Sequence, residues 1–172
     1  MRVVAGELRG RRIVAPAGRD TRPTTDRVRE AIFNALGSAG LLEGALVADL
    51  YAGSGALGIE ALSRGAEHCV FVENDRAALA VLEENLDHLG LRSRSRVLRS
   101  PVPAVVGGLD VDLVLADPPY GSDVWPDLLA AVRAPIVVAE ADVAVTAPAG
   151  WTAFRSRRYG RTWVTFLERD TV

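Results

Sequence analysis

The chain has 172 residues, 49% of them apolar, a formal net charge of −2 and a mean hydropathy of +0.15. That composition excludes a disordered polyelectrolyte and asks for no more than one domain over 1–172, an N-terminal extension (1–40) on a core (41–172). No apolar run approaches the ~20 residues that span a bilayer, no secretory leader is visible, and the single cysteine, Cys69, has no internal disulfide partner, so a cytoplasmic protein is expected.

The charge is unevenly spread. Residues 1–30 carry eight Arg against four acidic residues, and residues 151–172 carry five Arg against two. Basic ends around an acidic middle point to a polyanion met by the ends and a cationic ligand held at the centre. Every one of the 20 Lys-or-Arg positions is Arg, whose planar fork also suits phosphate.

In chain order, residues 2–5 and 11–14 read as a short hairpin around Gly6 and Gly10. Thr24 or Thr25 can cap a helix whose apolar stripe is Val28, Ile32, Ala35 and Leu36, and Gly37 or Gly40 ends it. Strands are expected over 46–51, 68–72, 95–98, 111–116 and 136–140. Helices are expected over 56–64, from an Asp75 cap to Leu89, and over 123–132. Alternating helices and fully apolar strands imply a parallel sheet covered on both faces. Residues 143–146, 152–156 and 162–167 break the rhythm and read as strands of an antiparallel C-terminal edge.

The run Asp49-Leu50-Tyr51-Ala52-Gly53-Ser54-Gly55-Ala56-Leu57-Gly58 joins the first core strand to its helix. Glycines there let the backbone turn sharply and let a ligand lie against it. Gly53, Gly55 and Gly58 also satisfy G-x-G-x-x-G, with Glu73 ending the next strand, so a dinucleotide-binding oxidoreductase must be weighed. Charge opposes it, since Asp49 is a poor neighbour for pyrophosphate. S-adenosylmethionine instead carries a sulfonium and an ammonium that a carboxylate favours, and a ribose diol that can donate to Glu73.

Asp117-Pro118-Pro119-Tyr120 ends the fourth strand, which brings it to the same carboxyl-edge crevice as the glycine loop. An exocyclic amine of a base is a poor nucleophile because its lone pair is delocalised into the ring. Asp117 and the Pro118 carbonyl can accept its hydrogens and draw the nitrogen toward a nucleophilic geometry. The paired prolines stiffen that carbonyl, and Tyr120 offers a face on which a flipped base can stack.

With these motifs in hand, the sequence resembles the RsmD family of bacterial 16S rRNA guanine-N2 methyltransferases, within the class I methyltransferases. The likeness runs nearly end to end: Arg2-Val3-Val4-Ala5-Gly6 with Arg9-Gly10-Arg11-Arg12, then Arg22-Pro23-Thr24-Thr25-Asp26-Arg27-Val28-Arg29-Glu30 with Phe33-Asn34, the glycine loop, and the Asp-Pro-Pro-Tyr motif. It implies a three-layer, Rossmann-like α/β fold with a mostly parallel seven-stranded sheet. It implies S-adenosylmethionine as cofactor, at Asp49, Tyr51, Ala52, Gly53, Ser54, Gly55, Leu57, Glu73, Asn74, Ser100, Pro101 and Asp117. Ser100-Pro101 stands where such enzymes usually place Asp or Asn against the adenine. Catalysis falls to Asp117, Pro118, Pro119 and Tyr120. The implied partner is 16S rRNA, in a small-subunit particle, met by Arg9, Arg11, Arg12, Arg22 and Arg158. No membrane and no metal partner is expected, because His68 and His88 lie far apart without a paired Cys. A DNA or other RNA amino-methyltransferase could use the same tetrapeptide.

Overall fold

A computed structural model describes residues 1–16 and 24–172; the side chains of Thr24 and Thr25 lie outside the described part, so the expected threonine cap does too. The helices are α1 (Thr24–Ser38), α2 (Ala56–Ser63), α3 (Arg76–His88), α4 (Val102–Val105) and α5 (Trp125–Ala131). The strands are β1 (Leu46–Leu50), β2 (His68–Glu73), β3 (Ser95–Arg99), β4 (Leu113–Ala116), β5 (Ile136–Ala141), β6 (Trp151–Tyr159) and β7 (Thr162–Arg169). They form one sheet in the order β3-β2-β1-β4-β5-β7-β6, with β1 to β5 parallel and β7 antiparallel to both β5 and β6. This is the expected Rossmann-like sheet. The antiparallel β7, wedged beside β5, sets it apart from the all-parallel dinucleotide fold.

The period of two along each strand sorts side chains between two cores. Val47, Cys69, Phe71, Leu113, Leu115, Ile136 and Val138 face α1, α2, α3 and the N-terminal segment. Ala48, Leu50, Val70, Val72, Val114, Ala116, Val137 and Ala139 face the side covered by α4 and α5. Both faces are apolar, and both are buried. Trp151 belongs to the second core, with its Nε1 donating to the Leu129 carbonyl at 3.1 Å and the Arg169 guanidinium over its ring. Among the described residues no helix is long and apolar enough to cross a membrane.

Two expectations need correction, and a third is met in part. Residues 143–146 form no strand, because β5 is already paired along its open side by β7 and β7 by β6. Val145 is tied instead by its N–H to Thr165 Oγ1. The expected N-terminal hairpin is present but short: around the Arg2–Arg12 bridge, Val3 N–H donates to the Arg11 carbonyl, Gly10 N–H to the Val3 carbonyl and Ile13 N–H to the Met1 carbonyl, and its tip turns to α2. Val4 and Ala5 N–H donate to the two Glu60 carboxylate oxygens, and Leu8 N–H donates to Ser63 Oγ. Helix α5 starts at Trp125 with Pro126 in its first turn, later than residue 123.

Candidate active site

The sheet reverses its winding between β1 and β4, the place where ligands bind in open α/β sheets. Leu50 lies beside Ala116 in the last register pair of these strands. The glycine loop and the Asp-Pro-Pro-Tyr motif are therefore immediate neighbours, and the Asp117 N–H approaches the Leu50 carbonyl at 3.5 Å. Glu73 and Asn74 follow at the end of β2, and Ser100 and Pro101 at the end of β3. The Ser100 N–H donates to the Glu73 carbonyl at 3.1 Å. The four groups of candidate residues thus line one carboxyl edge, in the strand order β4, β1, β2, β3.

The glycine loop is held from both sides. Tyr51 takes a left-handed φ of 60°, an uncommon conformation for a bulky residue, and ends β1 there. The Ala52 N–H then donates to the Val72 carbonyl at 3.0 Å. Glu73 Oε1 accepts the Gly53 N–H at 2.8 Å, while Oε2 accepts those of Asn74 and Asp75. Asp75 caps α3 through the Ala78 N–H, as expected. Asp49 Oδ2 accepts the Gly58 N–H at 2.9 Å, satisfying an amide in the first turn of α2 from a neighbouring strand. Asp49 is 1% exposed. Burial pushes its carboxyl well above the ordinary range; Asp117 and Glu73 add repulsion, and the Gly58 N–H opposes the shift.

The glycines divide by what surrounds them. A Cβ on Gly53, whose φ is +57°, would meet nothing within 4 Å, so this backbone faces open space. A Cβ on Gly55 would lie 2.4 Å from Leu82 Cδ1, and one on Gly58 2.3 Å from Phe71 Cε1. Gly55 also starts α2 with φ 86°. The space beside Gly55 is core, so the open face of the loop belongs to Gly53. Ser54 is buried; Tyr51, Ala52 and Leu57 are half-buried, and Asn74 is exposed.

In the tetrapeptide, Asp117 and Pro119 are exposed, Pro118 is buried and Tyr120 is 39% exposed. The Ser122 N–H donates to the Pro119 carbonyl across a turn whose Gly121 has φ +77°. Among the described residues the Pro118 carbonyl accepts no backbone or side-chain bond, which suits it to an incoming donor. Tyr120 Oη lies 2.6 Å from Thr162 Oγ1 at the start of β7.

Arg9, Arg11, Arg12 and Arg158 are exposed. Arg11 Nη2 donates to the His88 carbonyl and Arg158 Nε to the Gly160 carbonyl. Arg22 lies outside the described residues. Four residues of structural weight went unread in the sequence. Glu60, wholly buried, receives Arg29 Nε and Arg64 Nε besides the two N-terminal amides. Asn85 joins Val14 to Ser54, Ser63 grips the N-terminal segment, and Thr162 anchors Tyr120. Glu60 alone left a signal: one carboxylate in an apolar helical stretch must find buried partners.

The model of the family described as conserved hypothetical protein 95 matches residues 1–168. The chain belongs to this family, the RsmD family of methyltransferases. It is 32% identical to ribosomal RNA small subunit methyltransferase D of Escherichia coli, over 99% of this chain and 90% of that protein. It is 50% identical to the protein YlbH of Bacillus subtilis, named as an rRNA methyltransferase, over 58% of this chain and only 53% of that one. A solved Escherichia coli structure described as a methyltransferase superposes with a TM-score of 0.86 at 33% identity, covering 100% of this chain and 99% of that one. The RsmD-family assignment agrees with the antiparallel β7 and removes the oxidoreductase reading.

The residues present fit the cofactor of such an enzyme. Gly53 leaves its face open, the buried Asp49 carboxylate would be relieved by a nearby cation, and Glu73 stands beside the loop with acceptor oxygens.

Proposed function

We propose that the protein transfers a methyl group from S-adenosylmethionine to the exocyclic N2 amine of a guanine in 16S rRNA, in the small ribosomal subunit. The observation that carries this reading is the adjacency of Leu50 and Ala116, which sets the open face of the glycine loop beside Asp117 and Pro118. The Escherichia coli relative, named a small-subunit rRNA methyltransferase, supports the substrate.

When bound, the cofactor supplies a methyl group made electrophilic by its sulfonium. The chain's residues supply position and charge. Asp49 and Glu73 fix the loop and bring negative charge to the cationic ligand. The Asp117 carboxylate and the Pro118 carbonyl accept the two amine hydrogens and aim the nitrogen lone pair away from the ring. Asp117 takes the proton lost as the new N–C bond forms; it need not be a strong base, because that proton becomes acidic only then. Positioning contributes most of the acceleration. Tyr120, with its hydroxyl held by Thr162, presents a ring to the extruded base.

The Arg-rich segments 1–30 and 151–172 suit contacts to backbone and shape more than to base edges of a duplex, which favours a structured RNA whose target base is already splayed. The test offers labelled S-adenosylmethionine with small-subunit particles, deproteinised rRNA and duplex DNA from a strain lacking the enzyme. Label on guanine N2, strongest in the particle, is the expected result. Preferential labelling of DNA, or of adenine, overturns the substrate and favours another amino-methyltransferase.

A further inference from the structure

The hydrogen bond from Tyr120 to Thr162 attaches the tetrapeptide to the β6–β7 turn, for Thr162 pairs with Tyr159 in the last register step of that hairpin. Beside this turn lies a concavity of about 150 Å³, lined by Arg158, Tyr159 and Gly160 from the turn and by Arg27 from the first turns of α1. Both arginines are exposed and Tyr159 is half-buried. Arg158 Nε donates to the Gly160 carbonyl at 2.8 Å, which holds the guanidinium while its two terminal nitrogens keep their hydrogens for another acceptor.

Some arginines of the fold are already charge-compensated. Arg29, two positions after Arg27, is buried on Glu60 and Asp26; Arg92 is paired with Glu83 and Asp87, and Arg94 with Glu7. Among the described residues no carboxylate is paired with Arg27 or Arg158. Two forked cations around a small hollow select a compact anion with several acceptor oxygens, and phosphate matches that fork. Resting on the function proposed above, we infer that this hollow holds a backbone phosphate of the RNA strand close to the target nucleotide, clamped by Arg27 and Arg158. The clamp would fix the strand beside the tetrapeptide while Tyr120 receives the base.

The experiment compares wild type with the Arg27→Ala/Arg158→Ala double variant, neither residue belonging to the proposed catalytic or cofactor sites. Binding to deproteinised 16S rRNA is followed against salt, and methylation of small-subunit particles is followed at about 0.15 M salt. Two lost phosphate contacts should lower the slope of log affinity against log salt by roughly 1.4 to 1.8. KM for particles should rise tenfold or more, with the thermal midpoint and cofactor affinity unchanged. Arg27→Lys/Arg158→Lys should restore the slope but not the full KM. An unchanged slope and KM overturn the clamp. So does a loss confined to particles with rRNA binding intact, which would assign the hollow to an acidic protein surface. A wild-type enzyme that labels no small-subunit RNA overturns the underlying function instead, before either arginine is changed.

Discussion

Asn85 on α3 donates from Nδ2 to the Ser54 carbonyl of the glycine loop at 3.0 Å and to the Val14 carbonyl of the N-terminal segment at 2.9 Å. Its Oδ1 accepts the Val14 N–H at 2.9 Å, and the side chain is fully buried. One amide therefore ties the N-terminal extension to the loop proposed to carry the cofactor. In Asn85→Ala these backbone groups lose their partner, each at a cost of about 1–3 kcal/mol. The variant should lose a few kcal/mol in urea unfolding and bind S-adenosylmethionine several-fold more weakly. Wild-type cofactor affinity in a destabilised variant would mean that Asn85 supports the fold without supporting the loop.

Glu60 and Arg29 form the other joint. The guanidinium reaches Glu60, Asp26 and the Arg2 carbonyl together, with side-chain exposures of 1% for Arg29 and 0% for Glu60. Removing either partner strands a buried charge, and each alanine variant should cost about 3–5 kcal/mol. Arg29→Lys should not restore stability, because one ammonium cannot span the fork. Hydrogen exchange should show the amides of Val4 and Ala5 losing protection in both variants. Retained protection would argue against Glu60 as the anchor of that segment.

What could be read in advance follows from where the signal lies. The central parallel strands β1, β2, β4 and β5 announce themselves because both faces are buried and most positions are apolar, whereas the half-exposed edge strand β3 carries a weaker pattern. The loop and tetrapeptide are legible because their chemistry is local. Residues 143–146 mimic a strand, with Val143 and Val145 alternating, but strand formation depends on an open partner edge, which β7 had taken. The Val14–Asn85 pair spans 71 positions and the Val4–Glu60 pair 56, and such polar links leave no period in the chain. Nor can a glycine motif tell which side of a Cα is core: Gly53 and Gly55 look alike in one dimension.

The two glycines should separate by experiment. Gly55→Ala must displace Leu82 at a φ that disfavours side chains, so it should cost about 2–4 kcal/mol of stability. Gly53→Ala meets no atom and should cost about 1–2 kcal/mol from its φ alone, yet its methyl enters the open face. Calorimetry should therefore find the larger affinity loss per unit of lost stability in Gly53→Ala. The reverse order would move the ligand-facing surface away from Gly53.

Asp49 gives a pH signature. Its carboxyl is raised by burial, so its contribution to stability is full below the ordinary carboxylate value and lost as pH rises through the raised one. A cationic ligand needs the ionised form, so affinity for S-adenosylmethionine should strengthen over that same rise. Asp49→Asn keeps an oxygen for the Gly58 N–H but cannot ionise. It should gain stability relative to wild type as pH increases, while its cofactor affinity is at least tenfold weaker and flat with pH. Identical pH slopes in the two proteins would remove Asp49 as the cation's counter-charge.

The chemical step rests on Asp117, which lies exposed at the end of β4 beside the open loop. Asp117→Ala removes an oriented acceptor of the amine hydrogens without touching either core, so the fold and most of the cofactor affinity should be kept while the single-turnover rate falls on the order of a hundredfold or more. Asp117→Asn keeps one acceptor oxygen but neither the charge nor the basicity, and should fall between wild type and alanine. Tyr120→Phe loses the bond to Thr162 yet retains the ring, and should slow turnover only several-fold, chiefly through KM. If Asp117→Ala methylates at the wild-type rate, the amine must be oriented by backbone alone, with the Pro118 carbonyl as the acceptor that remains.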